Sequence, residues 1–146
     1  MPQRFTLAEA ESLIPLLERL LGEAVTMKAE YEEAEGVIQS LSARVAMMGG
    51  TRVNRNRAID ARGRREVAAA RLRRALEQIQ ETGCLVKDLD IGLVDFPAVR
   101  RGVEVCLCWK LGEKSIGHWH GADEGFRERK PIGRDFRDPL RGGPER

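Results

Sequence analysis

The sequence predicts an α+β chain, a long antiparallel helical hairpin of coiled-coil type followed by a small three-stranded antiparallel β-meander. Three observations carry this. Apolar residues recur at spacings of four and three from Leu13 to Met48 without a charged interruption. A thinner seam of the same period runs through Ala58, Ala61, Ala68, Leu72, Ala75 and Ile79, broken once by Arg65. After Gly83 the period drops to two, as in strands with alternating faces.

The chain opens with Thr6-Leu7-Ala8-Glu9, the form of a capping box, with Phe5 placed as its staple. Pro15 either kinks the helix that follows or lies in the first turn of the next one. A helix over 15–48 would be roughly 50 Å long. One apolar seam of that length needs a partner along it. Gly49-Gly50 supplies its stop, and "TRVNRNR" (51–57) reads as polar loop. The second helix is predicted over 59–81, ending at Thr82-Gly83, and the short connection makes the two antiparallel neighbours.

"GLVDF" (92–96), "VEVCLCW" (103–109) and "SIGHW" (115–119) read as the three strands, with turns at 97–102 and 111–114. In the second of them Val103, Val105, Leu107 and Trp109 face one way, and Glu104, Cys106 and Cys108 the other. So small a sheet is marginal alone, so one face should rest on the base of the hairpin near Leu16, Leu20 and Ile79. The predicted organisation is one domain over 1–132: hairpin at about 6–82, meander at about 84–120 and closing loop at 121–132. A polar, Gly/Pro-rich tail over 133–146 is expected to be disordered.

Of the 146 residues 33% are charged and only 5% aromatic, which suits a core of Leu, Val, Ala and Ile under an ionic surface. No apolar run approaches the ~20 residues of a membrane span, and the N-terminus lacks a secretory apolar stretch. Three cysteines, an odd number, argue against a disulfide framework. A soluble, cytoplasmic protein without membrane partners is the expectation.

The net charge of +2 conceals an asymmetry: −5 over residues 1–43, +8 over 44–74 and −1 over 75–146. If the hairpin turns near residue 52, Glu30, Glu32, Glu33 and Glu35 face Arg71, Arg73 and Arg74, and Arg44 faces Asp60. Six arginines stay unmatched toward the tip: Arg52, Arg55, Arg57, Arg62, Arg64 and Arg65. Such a tip is a candidate contact for nucleic-acid phosphates or an acidic protein. It has no interleaved aromatics, so stacking on single strands is not expected. Apolar surplus on the first helix (Ile14, Leu16, Leu21, Val25, Val37) points to a homodimer through the hairpin.

"FTLAEAESLIPLL", "VKDLDIGLVDFPA", "CWKLGE" and "WHGADEGFRERKPI" resemble, in this order, the uncharacterised bacterial family known as domain of unknown function 2203. Its strings correspond here to Gly92–Pro97, Cys108–Glu113, Trp119-His120, Gly125-Phe126 and Arg129–Ile132. Glu128 departs from it, since relatives often carry glycine there. The resemblance implies a helical hairpin with a small sheet and implies no activity.

The charged members of those strings, Asp88, Asp95, Glu113, His120 and Arg129, with Trp119, form a candidate polar or ligand site. His120 is expected to be held by Asp95 or Glu113, and Arg129 to return over the sheet to a carboxylate. A metal reading takes His120, Asp95 and Cys108, with Cys106 or Glu113 as further donors, since sulfur and imidazole suit zinc. Against it, Cys-x-Cys within a strand is not the Cys-x-x-Cys turn of zinc knuckles, and the cysteines suit core space as small hydrophobes. No phosphate loop, zinc-protease helix or serine elbow occurs, so no catalytic residue is assigned. The leading expectation is a non-enzymatic interaction or scaffold module acting through its coiled-coil hairpin, without a cofactor. The alternative is a small-ligand or metal-binding protein, zinc for example, with its site around Asp95, Glu113 and His120. The second alternative is nucleic-acid binding by the arginine-rich tip.

Overall fold

Thr6 caps the first helix as its sequence requires. Its Oγ1 accepts from the Glu9 N–H at 3.0 Å, and its own N–H donates to Glu9 Oε1 at 2.9 Å. The computed structural model describes residues 4–137. Helix α1 spans Leu7–Ser12, α2 Ile14–Met48 and α3 Arg52–Glu81. Pro15 is the second residue of α2, where its missing N–H costs no helical bond. Five strands follow: β1 Leu85–Asp88, β2 Leu93–Arg100, β3 Val103–Lys110, β4 His118–Gly121 and β5 Lys130–Pro131. A 3-10 turn, Phe126–Glu128, precedes β5, and α4, Arg134–Arg137, follows it. The rest of the predicted tail, 138–146, lies outside the described residues.

The sheet is thus a five-stranded antiparallel meander in the order β1-β2-β3-β4-β5, not the three-stranded one predicted. The added strands give no periodic signal. β1 has four residues, of which only Val86 is better than exposed, and β5 has two. Both attach by edge pairing, Leu85 to Asp95 and Trp119 to Lys130, which local periodicity does not report. The predicted turn at 97–102 is also corrected, because β2 continues through Pro97 to Arg100. Pro97 O accepts the Phe5 N–H at 2.8 Å, on the side away from β3 and beyond the end of β1. The proline nitrogen points the same way, so no ladder bond is lost. Arg101 and Gly102, at φ 52° and 78°, make the two-residue hairpin turn that follows. The fourth strand begins at His118 rather than 115.

The chain forms two compact units: Glu23–Leu76, and the described residues up to Gly22 joined to those from Glu77 onward. In the first, Ala24, Met27, Ala34 and Leu41 on α2 and Ala61, Ala68 and Ala75 on α3 are buried, so the heptad spacing marks the inner seam. Of the segment predicted as loop, 51–57, residues 52–57 are instead the first turns of α3. Thr51 caps it, its Oγ1 accepting the Asn54 N–H at 3.1 Å. With the turn confined to 49–51, the ion pairs fall elsewhere than predicted: Arg65 meets Glu35, and Arg71 meets Glu23 at 2.9 Å. Asp60 is taken by Arg64 one turn away.

In the sheet-bearing unit, Leu17, Leu20, Leu21 and Ile79 are buried, as are Phe96, Leu107 and Trp109. Phe5 meets Phe96 edge to face with centroids 5.4 Å apart, and Phe136 of α4 meets Trp119 at 5.6 Å. Ile14 and Leu21, counted in the sequence as surplus for a homodimer, are buried within the chain. Among the described residues no helix is long and apolar enough to cross a membrane.

Candidate metal centre

The register of the three central strands builds the site. Asp95 of β2 lies opposite Cys108 of β3, and Cys106 of β3 lies opposite His120 of β4. Directly opposed residues share a face, so two thiols, the Asp95 carboxylate and the His120 imidazole meet on one side of the sheet, with His118, opposite Cys108, on the same side. Asp95 is 1% exposed, His120 2% and Cys106 9%. One carboxylate oxygen, the Cys106 Sγ and one His120 ring nitrogen lie within 4.8 Å of one another.

His120 is fixed at both nitrogens. Its Nδ1 lies 2.8 Å from Gly121 O, and a carbonyl only accepts, so Nδ1 carries the proton. Nε2 lies 3.0 Å from Asp95 Oδ1. In the neutral ring this nitrogen presents a lone pair to a carboxylate, and two buried acceptors would face each other. A proton shared between them, or a metal ion, is needed there. An Nδ1–H held by a backbone carbonyl is also the usual outer support of an imidazole that ligates through Nε2.

The thiols respond to the same charge. Burial first, and then the neighbouring Asp95 carboxylate, push Cys106 up to about 11. The same two causes, in the same order, push Cys108 up to about 12, with Arg129 opposing. Both are therefore protonated at neutral pH unless a cation stabilises the thiolate. His118, opposite Cys108, has a buried Nδ1 with no hydrogen-bond partner.

The remaining predicted site residues go elsewhere. Glu113 and Arg129 form their own pair, Arg129 Nη2 standing 3.0 Å from both carboxylate oxygens. Glu113 Oε1 also accepts the Lys110 N–H at 2.8 Å, and Arg129 Nη2 reaches Cys108 O at 3.5 Å. This pair pins the closing loop to β3. Trp119 points to the opposite face, where the Arg100 guanidinium and the Lys130 ammonium lie 4.7 and 4.8 Å from its ring centroid. Asp88 is exposed and accepts the Asp90 N–H in a turn. Glu128, the family departure, accepts the Gly125 N–H at 2.6 Å and so closes the 3-10 turn itself. Of the six tip arginines, Arg64 and Arg65 are ion-paired, and Arg52, Arg55, Arg57 and Arg62 lie on α3.

The three convergent donors include Cys106, which the sequence offers as a further donor beside Cys108. Strand alternation places both on this face, and only the cross-strand register sets Cys106 against His120. Compared with known proteins, the chain matches one family model, described as "Uncharacterized conserved protein (DUF2203)", over residues 3–132. No curated protein and no solved structure matches it.

Proposed function

The chain belongs to that uncharacterized conserved family, whose description carries no activity, and from the geometry of its sheet we propose that it binds a transition-metal cation of the zinc class through Asp95, Cys106 and His120. The observation that carries this reading is the pair of buried acceptors, Nε2 and Oδ1, held 3.0 Å apart beside a thiol. Two ligands at ~2.0 Å on a tetrahedral ion are about 3.3 Å apart, so a small displacement admits the metal. The mixed sulfur, nitrogen and oxygen set suits zinc, and disfavours magnesium or calcium, which prefer oxygen alone. Three protein ligands leave a fourth position for a water or a small ligand. Bound metal would neutralise the carboxylate and draw the Cys106 proton off.

Elemental analysis of purified protein, followed by cobalt(II) titration of the metal-free form, tests this. Near-stoichiometric uptake is expected, with a sulfur-to-cobalt charge-transfer band that is lost in Cys106→Ser and uptake that is lost in His120→Ala. A protein that takes up no cobalt or zinc at micromolar concentration, while folded by circular dichroism, refutes the proposal. The pair is then bridged by a proton.

A further inference from the structure

The helical unit, Glu23–Leu76, carries a second feature that the metal reading does not use. Its closed end leaves large apolar side chains in water: Met47 is 84% exposed, Met48 80%, Val53 66% and Ile59 64%. Scattered single apolar residues on a surface are ordinary, but Ile59, with the exposed Val45, lines a groove. Between the ends of α2 and α3 runs a groove of about 420 Å³ whose lining includes Val45, Ala46, Ala58 and Ile59, with Arg55 and Arg62 along one wall. From residue 36 to residue 59 the chain has four arginines and no carboxylate.

We propose that this groove receives an acidic amphipathic helix of another protein as the third helix of a bundle. Two antiparallel helices bury one seam and leave the groove between them open, and a third helix laying its apolar ridge there completes the packing. Charge selects the occupant. Arg55 and Arg62 are seven residues apart on α3, two turns or about 10 Å, so carboxylates seven apart on the incoming helix meet both. A second copy of this chain brings its own four arginines to the same place. Its acidic stretch already spends Glu23 and Glu35 on Arg71 and Arg65. Nucleic acid would satisfy the arginines and leave Val45 and Ile59 facing phosphates.

The test uses the full chain, isotope-labelled for NMR, and a synthetic 21-residue helix with a leucine ridge and glutamates seven apart. A second peptide carries lysine in place of each glutamate. Saturable binding of the glutamate peptide is expected, with shifts confined to residues 41–62. Its affinity should fall several-fold between about 0.05 and about 0.3 M salt. Val45→Glu with Ile59→Glu should weaken it at least tenfold, and Arg55→Gln with Arg62→Gln should remove the salt dependence. All four positions are solvent-facing or lie at the groove, so folding is checked by the unchanged spectrum elsewhere. Absence of binding, or equal binding of the lysine peptide, overturns the proposal. So do shifts at 41–62 produced only by duplex DNA, by vesicles of phosphatidylcholine and phosphatidylserine, or by raising the protein's own concentration.

Discussion

His120 Nε2 and Asp95 Oδ1 stand 3.0 Å apart on strands separated by β3, both almost wholly withdrawn from water. Neither can be there alone, because an unpartnered buried polar group costs about 1–3 kcal/mol. What bridges them decides the protein's chemistry, and the substitutions that follow separate the bridges.

Asp95→Asn keeps the shape of the side chain and turns an acceptor into a donor. The amide NH2 can donate to the Nε2 lone pair, so no cation is needed. Its stability should stay within about 1 kcal/mol of the metal-free parent, while metal uptake disappears. His120→Ala should lose both uptake and about 1–3 kcal/mol, because Asp95 is then orphaned. Urea melts of the two variants with and without zinc give the comparison. Retained zinc binding in Asp95→Asn counts against the assignment of Asp95 as a ligand.

Metal binding should appear as stability. A ligand that binds only the folded chain adds about 2.7 kcal/mol at one hundred times its Kd, so the zinc-loaded protein should melt higher than the chelated one. Cys106→Ser should shrink that difference. Cys108→Ser should lower the melting point of both forms together, since Cys108 is fully buried and lies outside the convergent trio.

Gly92 is expected to tolerate no side chain. Its φ is +68°, and a Cβ there would stand 2.5 Å from Leu111 Cβ. The two residues are already joined, Leu111 N donating to Gly92 O at 2.9 Å. Gly92→Ala should destabilise by about 2–4 kcal/mol, strain and overpacking together. A denaturation midpoint equal to the parent's would show that the β2 entry can shift to make room.

The closing loop should loosen in acid. Lys130 donates to Glu124 Oε1, and the Gly121 N–H does so at 2.7 Å; these contacts, the lysine's first, hold the Glu124 carboxyl below its ordinary value. A depressed carboxylate adds stability that is complete above the unfolded-state value. That stability is lost as pH falls through the lower folded-state value. Trp119 fluorescence, reported through the Lys130 ammonium over its ring, should change over that acid range. In Lys130→Gln the Glu124 titration, followed by NMR, should move up toward the ordinary range. No movement would mean that the lysine contact is not formed in solution.

Legibility in the sequence followed the length of the signal. The α2 seam repeats over five heptads, and residues such as Leu17, Ala24 and Leu41 are buried where the spacing placed them. The box at Thr6–Glu9 and the alternation in β3 were equally plain, because each rests on contacts within a few residues. Residues 52–57 read as loop because a lone N-cap before an arginine-rich stretch has no apolar period behind it. β1 and β5 were invisible because a four-residue or two-residue edge strand is defined by its neighbour.

The sequence by itself determined the helical hairpin, the strand character of residues 93–96 and 103–109, and the presence of histidine, carboxylate and thiol near one another along the chain. Local periodicity and capping decide such things, and they are written in consecutive residues. Only the tertiary structure decided which of those groups meet. Asp95 joined His120, Glu113 went to Arg129, and Trp119 turned to the other face. That choice depends on cross-strand register, and a one-residue slip would reverse every face. Register is set by the Arg101-Gly102 turn, by the bulge between Val86 and Asp88 and by packing on both sides of the sheet. These are long-range constraints, and no spacing within the chain encodes them.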